Sequence, residues 1–99
     1  MGIESRLYRL SMNQLKVLKL LAESRRGVVD SARVGKKIGL RGKALGGVFS
    51  SLARQRVGKE RLILPWGRSR EGVGLRWRLN TKLISQRRLA KIVDQLLAY

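Results

Sequence analysis

Lys43, Gly47, Ser50 and Arg54 recur at intervals of four, three and four in "RGKALGGVFSSLARQR", residues 41–56. On a 3.6-residue period they share one face of a helix, opposite Leu45, Val48, Phe49 and Leu52. A face that is cationic at both ends and small in the middle has the chemistry for meeting a polyanion. Lys and Arg neutralise phosphate, the Ser hydroxyl donates to phosphate oxygen, and Gly lets the helix backbone come close. Arg41 and Arg56 flank the same segment, Lys36 and Lys37 precede it, and a second group of cations, Arg68, Arg70, Arg76 and Arg78, lies in "RSREGVGLRWR". Arg at a hairpin tip suits a narrow minor groove, where negative potential is focused. Small residues on a helix serve close helix packing equally well, and exposed Arg in a loop is also ordinary surface, so the residues alone leave both readings open.

The centre of the cationic face holds Gly47 and Ser50, where specific readout ordinarily uses Arg on guanine or Asn or Gln on adenine. Binding by shape and charge, with weak sequence preference, is the expectation. Lys43, Arg54 and Gln55 remain able to reach a base edge. Trp66 and Trp77 offer a further option, stacking on unpaired bases. Trp77, in phase with Val73, Leu75 and Leu79, is expected in the core; Trp66 is open to either role.

Composition supports a polyanion partner. The 99 residues carry 23 Lys and Arg against 6 Asp and Glu, a net charge of +17, yet 43% are hydrophobic, which describes a folded chain and not a disordered basic tail. The charge is concentrated: residues 31–80 hold 13 basic and 2 acidic side chains, a net of +11, whereas the segments on either side carry +3 each. With no Cys and no His there is no thiolate, disulfide or imidazole chemistry, and no cofactor or metal is expected. Counting from the Gly42-Lys43 pair of "GLRGKA", Lys37 and Ala44 stand where a phosphate-binding loop needs Gly and Ser or Thr, and "GVGLRW" lacks the third Gly of a dinucleotide fingerprint. Six scattered acids form no catalytic pair. The chain is expected not to be an enzyme, to bind no small-molecule substrate and no membrane, and, without a signal-peptide pattern, to be cytoplasmic and nucleoid-associated.

The elements that must position these residues follow from periodicity and capping. "LSMNQLKVLKLLAE" predicts a helix from 12 to about 25, with Ser11 and Gln14 as a capping box and Leu15, Leu18 and Leu21 or Ala22 facing inward. Asp30 caps a short helix over about 31–38 that buries Val34 and Ile38 and ends at Gly39. A tight turn then leads into the helix of residues 42–55. Beyond Arg56 the period falls to two: "RLILPWG", with Pro65 arguing for a sheet edge, and "VGLRWRLN" read as a β-hairpin. Its alternation turns Val73, Leu75, Trp77 and Leu79 to the core and Arg76 and Arg78 to the other face. Ser85 caps a last helix whose stripe is Leu89, Ile92, Val93 and Leu96, widened by Leu97 and Tyr99, so that a homodimer contact is expected there.

In its order of elements this chain resembles the winged helix-turn-helix family of DNA-binding domains. The resemblance covers about residues 11–80 of a single 99-residue domain and rests on "VDSARVGKKIGLRGKALGGVFSSLARQ" followed by "RLILPWGRSREGVGLRWRLN". It implies an α+β fold of three helices and a hairpin wing, with residues 81–99 as an additional C-terminal helix. The third helix, residues 42–55, would enter the major groove of double-stranded DNA, and the wing, residues 61–79, would contact backbone or minor groove. The architecture also looks like small basic archaeal DNA-binding and chromatin proteins that dimerise through such a helix, which implies chromatin organisation or transcription regulation. Two alternatives stand beside it: an RNA- or ribosome-associated basic winged helix, and a protein-interaction winged helix for an acidic partner.

Overall fold

Local hydrogen bonding sets the helix ends in the structure, a computed structural model that describes residues 2–98. Helix α1 (Ile3–Leu7), not anticipated from the sequence, is short and buries Ile3 and Leu7. Helix α2 (Met12–Glu23) begins with the expected capping box: the Ser11 hydroxyl accepts from the Gln14 amide at 3.2 Å, and the Gln14 carboxamide oxygen accepts from the Ser11 amide at 2.8 Å. It stops at Glu23, because Ser24 turns extended and donates its hydroxyl to the Leu21 carbonyl at 2.9 Å. Helix α3 (Ser31–Ile38) is capped by Asp30 and ends at Gly39, whose φ of 74° is the left-handed geometry glycine supplies. Val34 is buried and Ile38 partly so. Helix α4 (Gly42–Ala53) carries the opening segment, and α5 (Gln86–Leu97) starts at Ser85, which accepts from the Arg88 amide at 3.2 Å.

The hairpin expected after α4 is part of a larger sheet. Strand β1 (Val28–Asp30) pairs with β5 (Leu75–Leu79), which pairs with β4 (Ile63–Arg68), all antiparallel in the order β1-β5-β4. Pro65 thus lies on an edge strand, where a missing N–H costs no ladder bond. A separate small hairpin of β2 (Arg56–Val57) and β3 (Glu60–Arg61) turns through Gly58, φ 64°. Arg76 and Arg78 therefore stand on the central strand and not on an outer one.

One apolar core joins the helices to the inner face of the sheet. Leu18, Leu21, Leu52, Ile63, Leu79, Leu89 and Val93 are fully enclosed, and Phe49 of α4 stacks on Trp77 of β5 with centroids 5.8 Å apart and planes 10° from parallel. The inward phase assigned to the hairpin fails at its far end. Leu79 is buried and Trp77 partly so, but Leu75 is exposed and Val73 is 96% exposed. The strand begins only at Leu75, and Gly74, at φ 116°, breaks the alternation before it.

The stripe assigned to dimerisation needs correction as well. Leu89, Ile92 and Val93 are buried in the chain's own core, and Leu96 and Leu97 pack against it, because α5 lies along α2. Gln86 strengthens this seam by donating its side-chain amide to the carbonyls of Leu21, Ala22 and Ser24, satisfying the end of α2. Tyr99, read as part of the same stripe, lies outside the described residues. The fold is α+β, with five α-helices and a small antiparallel sheet among the described residues, and no helix is long and apolar enough to cross a membrane.

Candidate nucleic-acid interface

Phe49 and Leu52 anchor α4 from below, with Leu45 and Val48 packed against the core, and this fixes which residues point outward. Lys43, Gly46, Gly47, Ser50 and Arg54 are all exposed. A Cβ built on Gly46 or Gly47 meets nothing within 4 Å, so these glycines permit no helix contact inside the chain. That removes intrachain helix packing as their purpose. Ser51, on the flank, is instead structural: it accepts from the Gln14 carboxamide at 2.8 Å and donates to the Val48 carbonyl at 2.8 Å, tying α4 to α2. The N-cap of α4 is Arg41, a donor-only side chain that makes no cap bond to the first-turn amides.

The hairpin loop lies back on α3 and does not project from the molecule. The Asp30 carboxylate, while capping α3 through the Ala32 amide at 3.0 Å, also accepts from the Ser69 hydroxyl at 2.6 Å and the Arg70 amide at 2.7 Å. Gly72 and Gly74 let the loop close on the helix: a Cβ would come within 3.1 Å of Ala32 Cβ and 2.5 Å of Ser31 Oγ, respectively. Partial burial pulls the Asp30 carboxyl upward, but the hydrogen bonds from Ser69, Arg70 and Ala32 outweigh it and hold the group below its ordinary value. The exposed Val73 consequently lies over the turn between α3 and α4, bounding a groove of about 520 Å³ with Lys36, Leu40 and Arg41.

The expected site residues separate into three groups. Lys36, Arg41, Lys43, Gly47, Ser50 and Arg54 follow α4 and the turn before it, with Arg56 exposed just beyond. Lys37 and Arg70 flank the other side of α3, where they border a cleft of about 690 Å³ with Arg25, Arg33 and Arg76; Arg68 is exposed at the end of β4. Arg76 and Arg78 are half-buried on the outer face of the sheet, Arg78 lying over the Trp66 ring at 4.4 Å from its centroid. Both project from the face of the sheet opposite the core, as the alternation of the strand predicts, and they face away from α4.

Among the described residues three ion pairs form, Lys19 with Asp94, Lys82 with Glu60 and Arg88 with Glu4. None involves a cation of α3, α4, β5 or the hairpin loop. Arg25, Arg26 and Arg33, which sequence reasoning did not single out, likewise form no ion pair among the described residues, although Glu23, Asp30 and Glu71 share the cleft of Arg25 and Arg33; the doublet ahead of Gly27 was the visible signal for the first two. No family model, curated protein or solved structure matches this chain.

Proposed function

We propose that this chain is a double-stranded DNA-binding domain of the winged helix-turn-helix kind, acting in chromatin organisation or transcription regulation. Helix α4 enters the major groove, and the loop at residues 69–74 sits beside it on the backbone. Binding proceeds by phosphate neutralisation with counterion release, and sequence preference is weak because the centre of the α4 face offers Gly and Ser to the groove floor.

The order α2, β1, α3, α4, β4, β5, with β5 between β1 and β4, supports the winged-helix assignment. The observation that carries the functional reading is the outer surface of α4, where Gly46 and Gly47 face open space between Lys43 and Arg54, cations that form no ion pair among the described residues. Two interior glycines cost an exposed helix about 2 kcal/mol together relative to alanine, and no neighbour inside the chain requires them. A partner whose backbone must come close does.

Duplex titration at several salt concentrations tests the reading. Gly47→Leu, which enters open space and leaves the core untouched, is expected to weaken duplex binding at least tenfold, since it holds the helix off the groove. Unchanged affinity would contradict a groove-facing α4, and a clear preference for structured RNA at matched salt would replace DNA with RNA as the ligand.

A further inference from the structure

The outer face of the sheet carries a second site with different chemistry. Directly paired residues of an antiparallel sheet project to the same side. Val29 pairs with Trp77 toward the core, so Val28, Asp30, Arg76 and Arg78 project the other way, away from the Phe49 contact that seats α4, with the Asp30 carboxylate taken up by Ser69 and the Arg70 amide. Leu64 pairs with Arg78 and Pro65 with Trp77, so alternation along β4 puts Trp66 on that outer face, where Arg78 covers part of its ring and 44% of the residue stays exposed. Trp66 then bounds a concavity of about 380 Å³ whose other walls are Val28, Arg25, Arg26 and Arg76.

Three features of this concavity point to one kind of ligand. It has no carboxylate in its lining, and none of its three arginines forms an ion pair among the described residues. Its single aromatic ring offers a π-surface next to those cations, and stacking between an aromatic side chain and a base is open to any base that has left a duplex. Arg26 is held at φ 60°, the one non-glycine residue in the left-handed region among the described residues, a strained geometry placed at the rim of the concavity. A duplex edge presents phosphates but no exposed base face, so it would use the arginines and leave Trp66 idle.

We propose that Trp66, with Arg25, Arg26 and Arg76, binds an unpaired nucleotide of a single-stranded nucleic acid: the base stacks on the indole and the flanking phosphates lie on the guanidinium groups. The site faces away from α4, so single strand and duplex occupy the protein together. This assignment stands apart from the α4 reading, and failure of α4 variants to alter duplex affinity would leave it intact.

The test is fluorescence-anisotropy titration of a dye-labelled short oligodeoxythymidylate and of a labelled abasic strand of equal length, with the parent protein's tryptophan fluorescence read alongside. The thymidylate is expected to quench the fluorescence and to bind more tightly than the abasic strand. Trp66→Ala should weaken thymidylate binding about 5- to 150-fold, with Trp66→Phe retaining most of the affinity and duplex affinity unchanged in both. The double variant Arg25→Gln with Arg26→Gln removes no core contact and should flatten the single-strand salt slope by about 1.4, at roughly 0.7 per phosphate. Equal affinity for the abasic strand, or a Trp66→Ala protein that binds thymidylate like the parent, would overturn the proposal. The first of these results would mean that the face binds acidic polymers by charge alone.

Discussion

The Ser69 hydroxyl donates to the Asp30 carboxylate at 2.6 Å, joining the hairpin loop to the residue that caps α3 across 39 positions of sequence. One side chain thus fixes both the start of a helix and the place of a loop, and through the loop it sets where Arg70 and Val73 lie relative to α4.

Asp30→Ala removes the cap and both loop bonds. A lost N-cap costs about 1 kcal/mol, and the further bonds to a partly exposed carboxylate bring the expected loss to about 1–3 kcal/mol. Chemical denaturation checks the magnitude. Proteolysis within residues 69–74 should accelerate more than global unfolding does, because the loop loses its tether first.

The same carboxyl makes stability depend on pH. Its folded pKa lies below the ordinary value, so its contribution is present above the unfolded pKa and is lost as pH falls through the folded one. Denaturation midpoints should therefore drop on acidification below about pH 4, and the drop should be smaller in Asp30→Asn. An identical acid response in both proteins would place the acid sensitivity elsewhere.

Glycines in neighbouring helices should respond in opposite directions to alanine. At Gly47 the Cβ meets open space, so Gly47→Ala is expected to stabilise by about 0.5–1 kcal/mol through helix propensity. At Gly35 it would stand 2.6 Å from the Leu40 carbonyl oxygen and 2.7 Å from Leu45 Cδ2, where the turn into α4 closes, so Gly35→Ala should destabilise by about 1–3 kcal/mol. Thermal melts of the two variants give the comparison directly.

Leu89→Ala should unfold the protein and not merely separate subunits. Leu89 is completely enclosed in the core shared by α2 and α5, and a buried Leu→Ala change costs about 2–5 kcal/mol. The expected loss is independent of protein concentration. A midpoint that shifts with concentration would restore this stripe as a subunit interface.

What the sequence disclosed was local. Ser11, Asp30, Gly39 and Ser85 mark helix ends through chemistry that acts within a few residues, and each end lies at or near the expected position. The outward face of α4 was legible because one stripe, Leu45 to Leu52, determines it. Less legible were the long-range consequences. Val28–Asp30 is three residues long and becomes a strand only by pairing with Arg76–Arg78, which no local pattern announces. Alternation assigned Val73 to the core, but the chain at Gly74 leaves strand geometry, and Asp30 holds the loop against α3. The face taken by Trp66 depends on the register of β4 on β5, and the burial of the α5 stripe depends on α2 lying beside it.

Duplex contact through α4 is tested most directly by the salt dependence of duplex affinity in a protein with Lys43, Arg54 and Arg41 all changed to Gln. Each is exposed and outside every ion pair among the described residues, so the fold is expected to survive the triple change. If each meets a phosphate, the slope of log affinity against log salt should flatten by about 0.9 per contact, nearly three in all, with a large loss of affinity at low salt. A slope equal to that of the parent protein would show that the α4 face does not touch DNA.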